Sequence, residues 1–509
     1  MAPAERIPAG VGSEPRPAGT SPFVHCFRTS QHHYVYDVNT NRIVRVDPVL
    51  PDVLETGMDF SAVDELQRAL PQHPPERVGA AARRCEGLRE RTGVFSTFHP
   101  RAMERLDPAG EACAAYEREF GQLIIELTQS CNLRCQYCSF SENYPLTHGY
   151  AGKSIPLPVA LKAIDYFLEH AVDTQLPAVT FYGGEPLLRF DVFKACVDHA
   201  TARRDGLPVH FQLTSNGTLV TPEMIAYFRE RSVSLLVSLD GPPQCHDRNR
   251  VFADGRPTST RVLDTLDLIR RTDPDYYRRR VGIVTVIAAN ADPRELFEFF
   301  KDHREVLGEG VHVATMVSGT GTDYWKKNPP SPQWCQSLDE LRWRYYESLV
   351  LEGDPSSKML EQLFQPDLVT IYRRALHRRL PDEIFLNGCC TPGVRRLFVD
   401  CDGRYHMCER INGTIPIGDV ERGLDHERIT RLVDEYRAIS EKECCDCWLV
   451  RFCSICFAAC VADGKFDAEQ KRTQCERARR GFHRSLVDYC EIAEINPAAF
   501  QYMDDIQFM

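Results

Sequence analysis

A chain of 509 residues, at about 150 per domain, holds roughly three to four domains with ample apolar sequence for real cores. Its 43% apolar and 26% charged content is that of a globular protein. A mean hydropathy of -0.35, with no apolar run near about 18 residues, argues against a membrane span. Sixty-one basic residues against 72 acidic ones give a net charge of -11, so no global positive field exists to hold nucleic acid or anionic lipid.

The chain opens with MAPAERIPAGVGSEPRPAGTSP, which is Pro/Gly-rich and has no apolar h-region. Residues 1–22 are expected to be a disordered tail rather than a signal peptide, leaving the chain in the reducing cytoplasm. Residues 23–105 form a first module. HHYVYDV, the turn at Asn39 to Asn41 and RIVRV predict a β-hairpin, and FSAVDELQRAL and the stretch from Pro75 to Thr92 predict helices, giving a strand-strand-helix-helix unit. Residues 106–332 change to short β-rich runs alternating with longer amphipathic ones. GQLIIELT, AVTFYGG, VHFQLTS, VSLLVSLD, VGIVTVI and VHVATM are six predicted strands. PLPVALKAIDYFLEHA, FDVFKACVDHATAR, TPEMIAYFRERS, TRVLDTLDLIRRT and DPRELFEFFKDH are helical. This alternation predicts an α/β fold with a parallel sheet and right-handed crossovers, a partial (β/α)6 TIM-like barrel whose chemistry sits at the C-terminal strand ends. Residues 333–384 read as a helical bridge, 385–490 as a cysteine-dense domain and 491–509 as a C-terminal tail.

Of the 21 cysteines, 11 fall between Cys389 and Cys475. In a reducing compartment such clusters read as thiolate metal ligands. Directly after the first barrel strand, Cys131, Cys135 and Cys138 stand in a CxxxCxxC spacing. Three thiolates on one short loop can hold three irons of a cubane cluster and leave the fourth open to chelate a small molecule. The spacing alone also fits a four-ligand structural site that borrows a distant cysteine.

This loop, with Tyr137 before its last cysteine, and FYGGEP (Phe181 to Pro186) after the second strand resemble the radical S-adenosylmethionine (radical SAM) enzymes. The resemblance implies a SAM-binding [4Fe-4S] cluster on Cys131, Cys135 and Cys138, with Tyr137 beside the cofactor. It also implies that Gly183, Gly184 and Glu185 meet the amino group of SAM: the glycines through close backbone approach, the carboxylate by answering an ammonium. Ser215 and Asn216 after the third strand, and Ser238, Asp240 and Arg250 after the fourth, are polar groups suited to SAM, with Arg250 suited to its carboxylate. SNG and DGP are also common turn sequences.

In the C-terminal window, Cys390 is followed by twelve residues, Gly403, four residues and Cys408; later come Cys444-x2-Cys447-x5-Cys453-x2-Cys456 and finally Cys475. Paired CxxC units also suit a zinc ribbon. Behind a radical SAM pattern, however, the set resembles the SPASM domain, which carries up to two auxiliary [4Fe-4S] clusters. The resemblance implies Cys444, Cys447, Cys453 and Cys475 for one cluster and Cys390, Cys408 and Cys456 for the other. The spacing departs from that pattern at Cys456, so Cys389, Cys401 and Cys460 are candidates for the last ligand; if none binds, an open iron remains for a substrate thiolate. Cys26, Cys85, Cys113, Cys196, Cys245, Cys335 and Cys490 have no ligand spacing and read as buried small hydrophobes.

The first module resembles the winged-helix-like leader-recognition elements of peptide maturases, where a peptide adds a strand to the hairpin edge. The whole resembles thioether-forming (sactipeptide/ranthipeptide-type) maturases of ribosomally synthesised peptides. It implies a 5'-deoxyadenosyl radical that takes a hydrogen from carbon, a cysteine-sulfur to carbon crosslink, and an auxiliary cluster accepting the surplus electron. Glu409 or Asp240 would take the proton. The implied partners are a precursor peptide with a leader and a one-electron reductase of flavodoxin or ferredoxin type, with neither nucleic acid nor membrane. Carbon-carbon crosslinking, epimerisation and anaerobic sulfatase-type formylglycine formation use the same parts.

Overall fold

The computed structural model of the chain describes residues 21–505 apart from 109, 111, 145–148, 205–207, 308–311, 320, 352–356, 386–387 and 412–414. The predicted tail therefore lies, except for its last two positions, outside the described residues.

The N-terminal module is a three-stranded antiparallel sheet in the order β1 (Val24–Arg28), β2 (His33–Asp37), β3 (Arg42–Val46), followed by helices Leu50–Glu55, Val63–Ala69 and Pro75–Thr92. The predicted hairpin is the β2–β3 pair; β1 and the first helix are additions to the strand-strand-helix-helix reading. The hairpin turn is held by Asp37, whose buried carboxylate accepts from Thr40 N, Thr40 Oγ1 and Phe95 N, each at 2.7 Å. Arg374 Nε donates to Asn41 O (2.9 Å), while Arg451 donates to Val38 O (2.6 Å) and Asn39 O (2.8 Å). These bonds tie the turn to the rest of the chain. On the β1 side, Glu494 accepts from Thr29 Oγ1 and Tyr34 OH at 2.8 Å each.

The chain leaves the module through β4 (Ala102–Met103) and enters six strands: β5 (Gln122–Thr128), β6 (Ala178–Gly183), β7 (His210–Ser215), β8 (Ser234–Ser238), β9 (Val281–Ile287) and β10 (His312–Met316). Each runs parallel to the next. β5 is buried from Leu123 to Thr128, β7 alternates buried and half-buried residues, and β10 exposes Thr315 and Met316, while crossover helices such as Leu157–Glu169 and Phe190–Arg203 bury their apolar faces. β11 (Glu383–Ile384) pairs with β4.

The sheet does not stop at six strands. β12 (Leu397–Val399), from within the cysteine-dense region, adds parallel to β5, and β13 (Arg404–His406), β14 (Gly418–Asp419) and β15 (Gly423–Leu424) continue antiparallel beyond it. The result is one ten-stranded sheet, β10-β9-β8-β7-β6-β5-β12-β13-β14-β15. The boundary expected at residue 385 thus separates segments that share a sheet. β16 (Val461–Ala462) and β17 (Lys465–Phe466) form a small ribbon before the long helix Ala468–Ile495. That helix packs on Pro332–Leu351, where Tyr346 OH donates to Asp488 Oδ2 at 2.8 Å. Among the described residues no helix is long and apolar enough to cross a membrane.

Burial pushes His246 and His312 down from 6.5 to about 4. Both therefore stay neutral in the fold at pH values where an unfolded histidine has already taken a proton. Their stabilising contribution is fully present above pH 6.5 and is lost as pH falls toward 4. The thermal midpoint is expected to drop on going from about pH 7 to about pH 5, and a flat profile across that window in a calorimetric pH series contradicts this.

Candidate metal centres

The loop carrying Cys131, Cys135 and Cys138 leaves the C-terminal end of β5 and is strapped at both flanks. Arg134 N donates to Val251 O (2.8 Å) and Gln136 N to Asn249 O (3.0 Å). Asn132 Nδ2 donates to Thr218 Oγ1 (2.9 Å). Leu133 N donates to Cys131 Sγ (3.4 Å) and Phe140 N to Cys138 Sγ (3.5 Å), so backbone donors are already aimed at two of the three sulfurs. Burial pushes the Cys131 thiol up to about 11 and the Cys135 thiol up to about 12, so metal binding here must displace protons. Three sulfurs on one loop, Cys135 buried and Cys131 and Cys138 half-buried, with N–H donors to two of them and no carboxylate or imidazole in the loop, are a donor set that fits an iron-sulfur cluster with one open iron.

Gly183 and Gly184 approach this loop itself. Gly183 has φ +127°, and a Cβ there would lie 2.3 Å from Thr128 O; one on Gly184 would lie 2.0 Å from Ser130 O. Glu185 is 1% exposed, and its carboxylate accepts from Ser215 Oγ (2.8 Å), Asn216 N (2.8 Å) and Leu187 N (3.1 Å). These hydrogen bonds join the ends of β6 and β7. Asn216 in turn donates from Nδ2 to Asn132 Oδ1 (2.8 Å), bracing the cysteine loop, and Ser238 is buried at the end of β8.

Arg250 and Asp240 meet the same residue of the cysteine loop. Both converge on Tyr137: Arg250 Nη1 donates to the Tyr137 hydroxyl (2.9 Å), and that hydroxyl donates to Asp240 Oδ2. Asp240 Oδ1 accepts from Val286 N (2.9 Å), and Asp240 is 2% exposed. Each oxygen thus accepts one hydrogen bond, and the Arg250 guanidinium lies in electrostatic range of Cys135 and Tyr137.

Glu409 is placed differently. Its Oε1 accepts from Arg396 Nη1 (3.0 Å), while Oε2 is buried with no partner among the described residues. Tyr182, directly before the two glycines, has its hydroxyl pushed above its ordinary value by burial, then by the Cys138 thiol and the Glu409 carboxylate. Tyr182 thus lies within electrostatic range of both Cys138 and Glu409.

Cys444, Cys447, Cys453 and Cys475 line a single cavity together with Lys471 and Arg479. Of the other set, Cys408 and Cys456 interact electrostatically, and Cys390 is half-buried next to Cys389. Among candidates for the remaining ligand, Cys401 is turned away: its Sγ donates to Glu126 O at 3.4 Å, inside the sheet. Cys389 and Cys460 both neighbour Cys456 and share the Tyr436 hydroxyl. Of the cysteines read as packing residues, Cys85, Cys196, Cys245 and Cys490 are buried; Cys26 and Cys113 are half-buried, and Cys335 is exposed. Sequence reasoning missed Tyr182, Lys471, Arg479 and Tyr436. For Lys471 a signal existed, since it stands four residues before Cys475, one turn away on a helix.

The model of the Radical SAM superfamily matches residues 125–300, the span that carries the cysteine loop and the Gly183–Gly184–Glu185 segment. The chain is similar to the Uncharacterized protein MJ0907 of Methanocaldococcus jannaschii, 28% identical over 300 residues, covering 58% of this chain and 88% of that protein. It is similar to a serine-type anaerobic sulfatase-maturating enzyme of Bacteroides thetaiotaomicron, 29% identical over 178 residues, and to a cysteine-type one of Clostridium novyi, 24% identical over 190 residues. These alignments cover 34% and 36% of this chain and 41% and 48% of those enzymes, less than half of each. Its fold resembles that of native anSMEcpe with bound AdoMet, with a TM-score of 0.54 at 19% identity, covering 76% of this chain and 100% of that one. The matched span and the three-cysteine loop at the mouth of its parallel sheet together give this chain a radical SAM domain over residues 125–300.

Proposed function

We propose that this enzyme is a maturase of a ribosomally synthesised peptide and closes a thioether between a cysteine sulfur and a carbon of the same peptide. When bound, the cluster and SAM supply a radical able to take a hydrogen atom from an unactivated carbon. The chain's own residues exclude water and place the peptide. Bond formation from the carbon radical and a thiol releases one proton and one electron. Glu409 takes the proton: the observation that carries this is its buried Oε2, which has no hydrogen-bond partner among the described residues. Cys390, Cys408 and Cys456, and Cys444, Cys447, Cys453 and Cys475, would hold the auxiliary centres of a SPASM-type domain, which would supply an acceptor for that electron. The N-terminal module is the winged-helix-like leader site. β3, which pairs only with β2 among the described residues, offers its outer edge to a peptide strand. A flavodoxin- or ferredoxin-type reductase in the cytoplasm supplies the first electron.

A second reading, formylglycine formation, is favoured by one observation: a carboxylate follows Cys408, and the same Oε2 would serve it. Anaerobic turnover of a cysteine-bearing peptide encoded beside this chain separates the two. Loss of two hydrogens per crosslink, with the cysteine no longer alkylatable, supports the thioether; an aldehyde trapped by a hydrazide overturns it. Glu409→Gln is expected to lower product formation by about 10²-fold, the scale of a lost general base, while 5'-deoxyadenosine continues to form. Equal loss of both products would remove Glu409 from the proton-accepting role.

A further inference from the structure

The cavity that gathers Cys444, Cys447, Cys453 and Cys475 holds two cations whose partners are sulfur. Lys471, in the first turn of helix Ala468–Ile495, is 2% exposed. Its Nζ lies 3.4 Å from Cys444 Sγ and 3.7 Å from Cys475 Sγ. Arg479, two turns further on, places Nη1 3.9 Å from Cys447 Sγ. Glu443, the carboxylate that lines the same cavity, is paired with Arg472 at 2.8 Å. Among the described residues Lys471 makes no salt bridge. An ammonium buried without a counter-charge is strongly unfavourable, and neutral thiols are weak acceptors, so this position makes physical sense only if the sulfurs are anionic.

We propose that Lys471, seconded by Arg479, is the fixed counter-charge of this four-thiolate centre and raises its reduction potential, making it an electron acceptor. A centre held by four thiolates gains one negative charge on reduction, and a buried cation at 3.4 Å from a ligand sulfur stabilises the reduced state more than the oxidised one. The electron accepted is the one released when the substrate radical closes its bond, so the inference deepens the proposed function and rests on it.

The test uses the full chain with Cys131, Cys135 and Cys138 replaced by alanine, reconstituted anaerobically so that only auxiliary iron remains. Iron and sulfide analysis comes first, followed by a potentiometric titration read by electron paramagnetic resonance. Lys471→Met is expected to shift the midpoint potential downward at unchanged iron content, Lys471→Arg to hold it near the parent value, and Arg479→Gln to shift it downward by less. An unchanged or higher potential in Lys471→Met overturns the proposal. Should Lys471→Met fail to assemble, Arg479→Gln decides, and no downward shift there overturns it equally. A parent that binds zinc and no iron overturns the auxiliary-cluster reading itself, an outcome separate from an unshifted potential.

Discussion

Gly184→Ala is expected to abolish SAM cleavage while leaving iron in the second cysteine system. Gly184 N donates to Thr128 O at 2.7 Å and Glu185 N to Ser130 O at 2.9 Å, so this segment lies back to back with the residues that lead into Cys131. An added Cβ would meet Ser130 O at 2.0 Å and Ser130 C at 2.5 Å. Both obstacles are backbone, which no rotamer change relieves, so the methyl must push the root of the cysteine loop. A displacement of about 1 Å in such positioning costs on the order of 10²-fold in rate, and here it also moves a ligand. Iron analysis should show loss of the loop's cluster alone, with 5'-deoxyadenosine formation falling by at least about that factor. Gly152→Ala is the control, since nothing lies within 4 Å of its added Cβ. Normal SAM cleavage by Gly184→Ala would show that the loop tolerates movement and would remove the packing role argued for the glycine pair.

The parallel strands were legible because short β-branched and apolar runs alternate with longer amphipathic segments, and a helix such as Phe190–Arg203 because its apolar stripe recurs with helical period. β1 escaped because VHCFR is five residues with His25 and Arg28 interrupting the pattern. β12 escaped for a different reason: Leu397–Val399 is three residues long, and its partner, β5, is more than 250 residues away in sequence. The cysteine loop was legible because its chemistry is local, three thiols within eight residues. What the sequence could not assign was partnership across the sheet. Glu185 finds Ser215 and Asn216 on the next strand end, and Asp240 finds Tyr137 at a separation of 103 residues. Residue type marked these as buried polar groups worth attention, but only the fold decides whether a carboxylate faces a ligand or a neighbouring strand.

Asp240→Ala carries the second large expectation, a loss of about 3–5 kcal/mol of stability. The carboxylate joins three elements: the Tyr137 hydroxyl from the cysteine loop, Val286 N from β9, and, through Tyr137, the Arg250 guanidinium. Arg250 Nε has no hydrogen-bond partner among the described residues, so the charge relies on its remaining contacts. Deleting the carboxylate leaves a buried guanidinium without its anion and an unsatisfied amide on β9, and removing one partner of a buried pair is far more harmful than replacing both. Because Tyr137 sits between Cys135 and Cys138, the loop loosens as well, and iron in the first centre should fall with stability. Asp240→Asn separates this structural role from a proton-accepting one. Its amide oxygen still accepts from Tyr137, so a structural Asp240 predicts partial stability and a parallel partial loss of first-centre iron. A proton acceptor predicts instead full iron, full SAM cleavage and no modified peptide. Chemical denaturation of the two variants beside their iron content and 5'-deoxyadenosine yield decides between these patterns.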